Sequence, residues 1–201
     1  MKILLTGGGS GVGQALCRQL CTTHDVVAPT RQQLDLLDSK QIINFVNQSY
    51  DILINCAGTG VGGKTDFVNH RASDVEDILK TNLIGPVLLS HTVLKHNSQA
   101  KIVNITSTNN NQYWPNDLVY SLSKKALEEF GRMLTIEYPN IKYLDIRLGL
   151  TKTNFNQNRY KNEPERYSEL YQQNHLTSVD VAVKICNVLF DSTIKFIEIS
   201  P

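Results

Sequence analysis

The first thirteen residues constrain this chain more than any other stretch. Lys2-Ile-Leu-Leu5 is a short apolar run that passes without a break into Thr6-Gly-Gly-Gly-Ser-Gly-Val-Gly13. Such a run, ended by a glycine cluster, reads as a buried strand followed by a tight turn. Behind the turn, Ala15, Leu16 and Leu20, with Cys17 and Cys21, recur at helical spacing. Strand, glycine turn and helix in that order open a parallel βαβ unit. Glycines there let the backbone take positive φ and approach a bound group closely. The helix start offers free N–H groups and a positive dipole end to an anion. This is the setting of a dinucleotide pyrophosphate, with Thr6, Gly7, Gly9, Ser10, Gly11, Val12 and Gly13 as its cradle.

The alternation continues to the end. Val26-Val-Ala28 reads as a second strand, and Ser39 caps a helix through Ile42, Ile43, Phe45 and Val46. Asp51–Asn55 is a strand, and a long helix from about Ser73 places Val75, Ile78, Leu79, Leu83, Val87 and Leu88 on its apolar face. The apolar run Ile102–Ile105 is a strand ending at Thr106-Ser107. A helix from near Leu118 stops at Tyr138-Pro-Asn140. Ile141–Arg147, a helix headed by Ser178, and Lys195–Ile199 complete the pattern. The expected fold is α/β, a doubly wound parallel sheet, with residues 1–201 as a single domain. A chain of 201 residues is long enough to bury its own core.

Charge and cysteine usage exclude several classes. Lys plus Arg (20) nearly balances Asp plus Glu (19), leaving no footprint for nucleic acid or an anionic membrane. No stretch approaches the length of a membrane span, and the opening apolar run is too short for a signal-peptide core. The four cysteines have neither metal-ligand spacing nor a Cys-x-x-Cys pair, so no metal is expected and a reducing cytoplasm suits them.

One place breaks the pattern. Only a few residues separate the second strand from Gln33–Asp38, whereas a parallel crossover needs a dozen or more. The usual crossover helix must be absent there, and any third strand is a stub or pairs irregularly.

The chemistry is concentrated between Ser107 and Lys124. Tyr120 and Lys124 lie one turn apart on one helix face. A phenol, with a pKa near ~10, is a poor proton donor at neutral pH. A neighbouring ammonium favours the phenolate and makes the pair a working acid/base. Ser107, at a strand's carboxyl end, is placed to bond the same reacting oxygen. Taken alone, Tyr120 and Lys124 read equally as a helix-surface pair worth ~0.2–0.5 kcal/mol.

Taken together, Thr6-Gly-x-x-x-Gly-x-Gly13, Asn55-Cys-Ala-Gly58, Asn82, Ser107, Tyr120, Lys124 and Gly149-x-x-x-Thr153 resemble the short-chain dehydrogenase/reductase family. The resemblance implies a Rossmann fold and a nicotinamide cofactor. It implies that Tyr120 transfers the proton, Ser107 orients the reacting oxygen, Lys124 tunes Tyr120 and holds the nicotinamide ribose, and Asn82 holds a water in a relay to Lys124. Asp35 and Leu36 would lie beside the adenine. Asn55, Ala57 and Gly58 would line the adenine-ribose side, and Gly149, Leu150 and Thr153 the nicotinamide end. Cys56 departs from the family's second Asn, and Leu148 from its Pro. Thr30-Arg31 stands where NAD-preferring relatives often carry an acid. A hydroxyl and a guanidinium there suit a 2′-phosphate, so NADP(H) is expected over NAD(H).

The implied activity is reduction of a small carbonyl, or oxidation of the alcohol. Residues 154–177 form a polar lid whose Arg159, Tyr160, Arg166 and Tyr171 suit a hydrophilic substrate. The implied assembly is a homodimer or homotetramer through helices 73–96 and 118–137. There Ile84, Leu89, Val93, Leu122, Met133 and Ile136 lie beyond one apolar stripe. Two alternatives stay open. One is a nucleotide-sugar reductase or epimerase, whose compressed layout the segment after the second strand resembles. The other is a non-catalytic NADP(H)-sensing regulator.

Overall fold

A computed structural model describes the chain except residues 112–113, 161–163 and 173. Six parallel strands form one sheet in the order β2-β1-β3-β4-β5-β8. They are β1 (Lys2–Leu5), β2 (Asp25–Val27), β3 (Ile52–Asn55), β4 (Lys101–Ser107), β5 (Tyr143–Leu148) and β8 (Phe196–Ile199). Because successive side chains point to opposite faces, each central strand feeds two cores. Ile3, Leu5, Ile52, Ile54, Val103, Ile105, Leu144 and Ile146 pack on one face. They meet Leu16 and Leu20 of α1 (Gly11–Leu20) and Val181, Ile185 and Leu189 of α8 (Ser178–Leu189). Leu4, Leu53, Ile102 and Tyr143 pack on the other. They meet Ile42 of α2 (Ser39–Phe45) and Leu89 and Val93 of α4 (Gly85–His96). Strands buried on both faces are what a parallel sheet requires, and the apolar runs of the sequence are their mark.

Strand order reverses around β1, which lies between β2 and β3. In open parallel sheets that switch point, beyond the strands' carboxyl ends, is where ligands bind. Residues 6–13 and 55–58 meet there.

Residues 30–38 hold no strand. Thr30, Gln33 and Leu34 form a turn, and the Asp35 carboxylate accepts from Leu37 N–H at 3.0 Å. Leu34 and Leu36 are buried against the second core. The cap of α2 is Asp38 rather than Ser39, since its side chain accepts from the N–H groups of Lys40 and Gln41. Asp is as good a cap as Ser, so the position shifts by one residue while the chemistry stays.

The long helix expected after residue 73 is three pieces in line. These are α3 (Ala72–Leu79), a π turn at Lys80–Ile84, and α4. The extra residue of a π turn rotates everything beyond it. Leu89 and Val93 are therefore fully buried, not left over on a second stripe, whereas Ile84 is exposed. Helix α5 (Leu118–Glu137) runs beside β4 and β5. Gly131 on it is required by contact, because a Cβ there would stand 1.8 Å from the Tyr143 hydroxyl.

Beyond β5 come β6 (Thr151–Lys152), α6 (Asn154–Arg159), α7 (Pro164–Leu170) and β7 (Leu176–Thr177), with β6 and β7 paired in parallel. This is the segment expected as a lid; its residues 161–163 and 173 lie outside the described ones. Among the described residues, no helix is long and apolar enough to cross a membrane.

Candidate active site

The glycine turn after β1 is built for close approach. Gly7 and Gly11 have φ of 75° and 52°, and a Cβ on Gly13 would meet the Gly7 carbonyl oxygen at 2.2 Å. The helix α1 can start this close to the strand only without that side chain. Gly9 and Ser10 are exposed at the rim, with open space around Gly9, and Val12 turns into the core. Thr6 is buried, and its hydroxyl accepts the N–H groups of Cys56 and Ala57 at 3.1 and 3.0 Å. One threonine thus ties the glycine turn to the strand end at 55–58. Thr153 completes the cradle from the far side, 3.3 Å from where a Cβ on Gly11 would stand. The carbonyl of Leu150 is held by Leu176 N–H, and Gly149 packs against Ser200 and Pro201.

The four residues expected to do chemistry converge beside this cradle. A Cβ placed on Gly58 would stand 3.5 Å from both Asn82 Oδ1 and Lys124 Nζ. Asn82 sits on the π turn and is fully buried. Its amide donates to the Thr59 carbonyl and to Ser123 Oγ, and its oxygen accepts from Thr59 N–H at 2.8 Å. Pro86, four residues on, has no N–H to return to the Asn82 carbonyl, which favours a π turn here over an α turn. Single π turns inside helices are frequently found at functional sites.

Lys124 is buried, and its ammonium donates to the Ile105 carbonyl at 2.8 Å. Burial pulls its pKa down to about 8, against weaker opposing pulls from Cys56 and Asp145. The Cys56 thiol is pushed up to about 11 by burial, so it stays neutral. Ser107 closes β4 and accepts from Asn109 N–H at 3.2 Å.

Tyr120 is where the structure departs from expectation. Its phenol lies above the ordinary value: burial raises it most, Arg159 lowers it, Asp117 raises it, and a hydrogen bond with Ser107 lowers it. The cation that acts on it is Arg159, not Lys124, whose ammonium is turned towards the end of β4. Helical spacing brought Tyr120 and Lys124 to one face but could not say which way a long side chain turns. The Arg159 guanidinium stacks over the Tyr120 ring at 4.7 Å, and the Phe155 ring lies 5.5 Å from it.

Other expected contacts fall out differently. The Asn55 side chain turns inward to Asn104 Oδ1 (2.9 Å) and Ser90 Oγ (3.3 Å), so it steadies the sheet. Leu36 packs against Gly85, and its side chain belongs to the core. Arg31 reaches Asp35 at 3.4 Å and is otherwise exposed, and the Thr30 hydroxyl bonds Gln33.

Sequence reading missed Lys64 and the place of Asp117. Asp117 stands at the cap position of α5 yet makes no cap bond. Its carboxylate instead pairs with Arg159 and Lys64 and accepts from Asn109 Nδ2. A cap-type residue that forgoes its cap was the available signal, and only its tertiary partners make it visible.

A profile described as short chain dehydrogenase matches residues 30–164. The chain is 28% identical to the 3-ketodihydrosphingosine reductase of Bacteroides thetaiotaomicron, over 90% of this chain and 76% of that one. It is 27% identical to the 3-oxoacyl-(acyl-carrier-protein) reductase of Buchnera aphidicola, over 87% and 80% of the two chains. Among solved structures, the closed form of a serine dehydrogenase complexed with NADP+ matches with a TM-score of 0.89 at 24% identity, covering 99% of this chain and 94% of that one. A 4-hydroxyisoleucine dehydrogenase complexed with NADH reaches 0.85 at 24% identity, covering 100% and 97%.

Proposed function

Because the chain belongs to the short chain dehydrogenase family and is an oxidoreductase, we propose that it reduces a small polar carbonyl with NADPH, using Tyr120 as proton donor. The observation that carries this is the convergence of Asn82, Ser107, Tyr120 and Lys124 beside the glycine cradle. The cradle fits a dinucleotide, since side chains at Gly7 or Gly13 would collide with backbone and the space at Gly9 is open. Thr6, Gly7, Gly9, Ser10, Gly11, Val12 and Gly13 would hold the pyrophosphate. Ala57, Gly58, Gly149, Leu150 and Thr153 would hold the ribose and nicotinamide ends, and Asp35 with Leu36 would flank the adenine. A bound nicotinamide supplies the hydride in reduction and accepts it in oxidation.

The protein's own part is positioning and proton transfer. Tyr120, like any phenol, is protonated at neutral pH, the form a carbonyl reduction needs, and burial raises its pKa further. The phenol gives its proton to the carbonyl oxygen as negative charge develops there, and Ser107 bonds the same oxygen and fixes its direction. Lys124, close to Gly58, is placed for the ribose, and Asn82 links the loop at Thr59 to Ser123 on the catalytic helix. The proton is replaced from water by way of Lys124 and the groups around Asn82.

The choice of NADPH rests on Thr30 and Arg31, since structural relatives are seen with either cofactor. Arg31 is spent only on an exposed pair with Asp35, and such pairs are worth ~0–1 kcal/mol. A 2′-phosphate would displace it. The single domain, its 154–177 lid and a reducing cytoplasmic setting for four free cysteines complete the reading. So does a homodimer or homotetramer through α4 and α5. The test is a panel of small carbonyls with NADPH, guided by mass spectrometry of any ligand that co-purifies. NADPH consumed only with a carbonyl, matched by alcohol formed, is the expected result. NADPH bound but consumed with no carbonyl would favour the non-catalytic NADP(H)-sensing role instead.

A further inference from the structure

Three segments meet at Asp117, beside the Tyr120 ring that Arg159 covers, and they bring two cations to one carboxylate. The loop after β3 contributes Lys64, the turn before α5 contributes Asp117, and α6 contributes Arg159. Asp117 is the carboxylate both cations share, so among these three side chains two cations face one carboxylate. All three side chains are nearly shut off from water, with exposures of 10% for Lys64, 7% for Arg159 and 2% for Asp117. Holding an unbalanced cation out of water is costly unless a partner arrives. Arg159 also keeps a free donor, as its Nε is buried with no hydrogen-bond partner among the described residues. The guanidinium is no remote structural group, because it lies face-on over the ring of the proton donor at 4.7 Å.

We propose that Arg159 and Lys64 form an anion site for the carboxylate of the substrate, so that the enzyme acts on small oxo acids or hydroxy acids. A planar guanidinium matches a carboxylate's two oxygens, and an ammonium beside it adds a point charge. Stacking on Tyr120 fixes the distance between the bound carboxylate and the transferred proton, which selects how many carbons separate acid from carbonyl. Gly60 allows the arrangement, since a Cβ there would stand 2.8 Å from Arg159 Cδ. The inference rests on the oxidoreductase reading above and adds the substrate class.

The test is a titration in two stages. NADPH or NADP+ alone is titrated first. The NADP+-loaded protein then receives 3-hydroxybutyrate and, separately, 3-hydroxybutyramide, which differ in charge but hardly in shape. The expected result is acid bound at least about tenfold more tightly than amide, the direction that charge-assisted hydrogen bonding gives. Lys64→Gln and Arg159→Gln should erase that preference while NADP+ binding persists, and Arg159→Lys should keep part of it. Asp117→Asn removes the competing carboxylate and should tighten the acid, a change that a merely structural role for the cluster would not produce. Equal affinity for acid and amide, a preference untouched by both Gln variants, or no binding of either ligand overturns the inference while leaving the oxidoreductase reading intact. Failure to bind NADPH or NADP+ overturns both.

Discussion

Half-buried Tyr120 and buried Lys124 carry the proposed proton chemistry, and each has a consequence of its own. Tyr120→Phe deletes one hydroxyl and leaves the ring against Arg159 and Phe155. The fold and NADPH affinity should survive, while turnover falls by about 10²–10⁴, the usual worth of general acid catalysis. Steady-state rates beside calorimetric cofactor binding check this; turnover near wild type would reduce the pair to a structural one. Lys124 has a folded-state pKa of about 8 against an ordinary 10.5. Between those values the unfolded chain binds more protons, so stability rises with pH across that window and the penalty is full below pH 8. That penalty is on the order of 3 kcal/mol. Lys124→Met removes it and loses the bond to the Ile105 carbonyl, worth ~1 kcal/mol. The variant without cofactor should therefore be the more stable at pH 7, with its advantage shrinking as pH rises from 8 to 10.5. Urea unfolding of both proteins at the two ends of that window measures it, and a constant difference would refute it.

At the scale of elements, two departures from regularity shape the site. The π turn at Lys80–Ile84 points Asn82 inward and turns Leu89 and Val93 into the core. The short connection after β2 removes a crossover helix and leaves Arg31 exposed where a 2′-phosphate would lie. Arg31→Ala should weaken NADPH binding by about 1.5–3 kcal/mol, the worth of a charged hydrogen bond, and barely change NADH binding. Paired titrations of the two cofactors decide it. Equal losses for both would mean that Arg31 reads no 2′-phosphate.

At the scale of the molecule, one surface stays unusually apolar. Leu122, Met133 and Ile136 of α5 are 54%, 57% and 64% exposed, with Ile84 at 45% nearby in sequence to α4. Burying such a face against a second copy is the simplest way to remove it from water. Light scattering at micromolar concentration should return a dimer or tetramer, and Leu122→Glu with Met133→Glu should shift it to monomer. A wild-type monomer would end this expectation.

The parallel sheet was legible in the chain itself, because strands buried on both faces must be apolar throughout and a glycine cluster behind β1 has few other uses. The placing of residues 6–13 and Ser107 at strand ends, and of Tyr120 and Lys124 one helical turn apart, could be read from the same patterns, whereas Asn55–Gly58 and Asn82 stood out only through the family resemblance. What the chain could not disclose was direction and company. The turn of Lys124 towards Ile105 and the inward Asn55 are each decided by a carbonyl or amide oxygen from another segment. The Lys64–Asp117–Arg159 cluster joins residues as far apart as 64 and 159. No local spacing encodes such a meeting; it exists only once the loop after β3, the cap of α5 and the helix α6 fold together around Asp117.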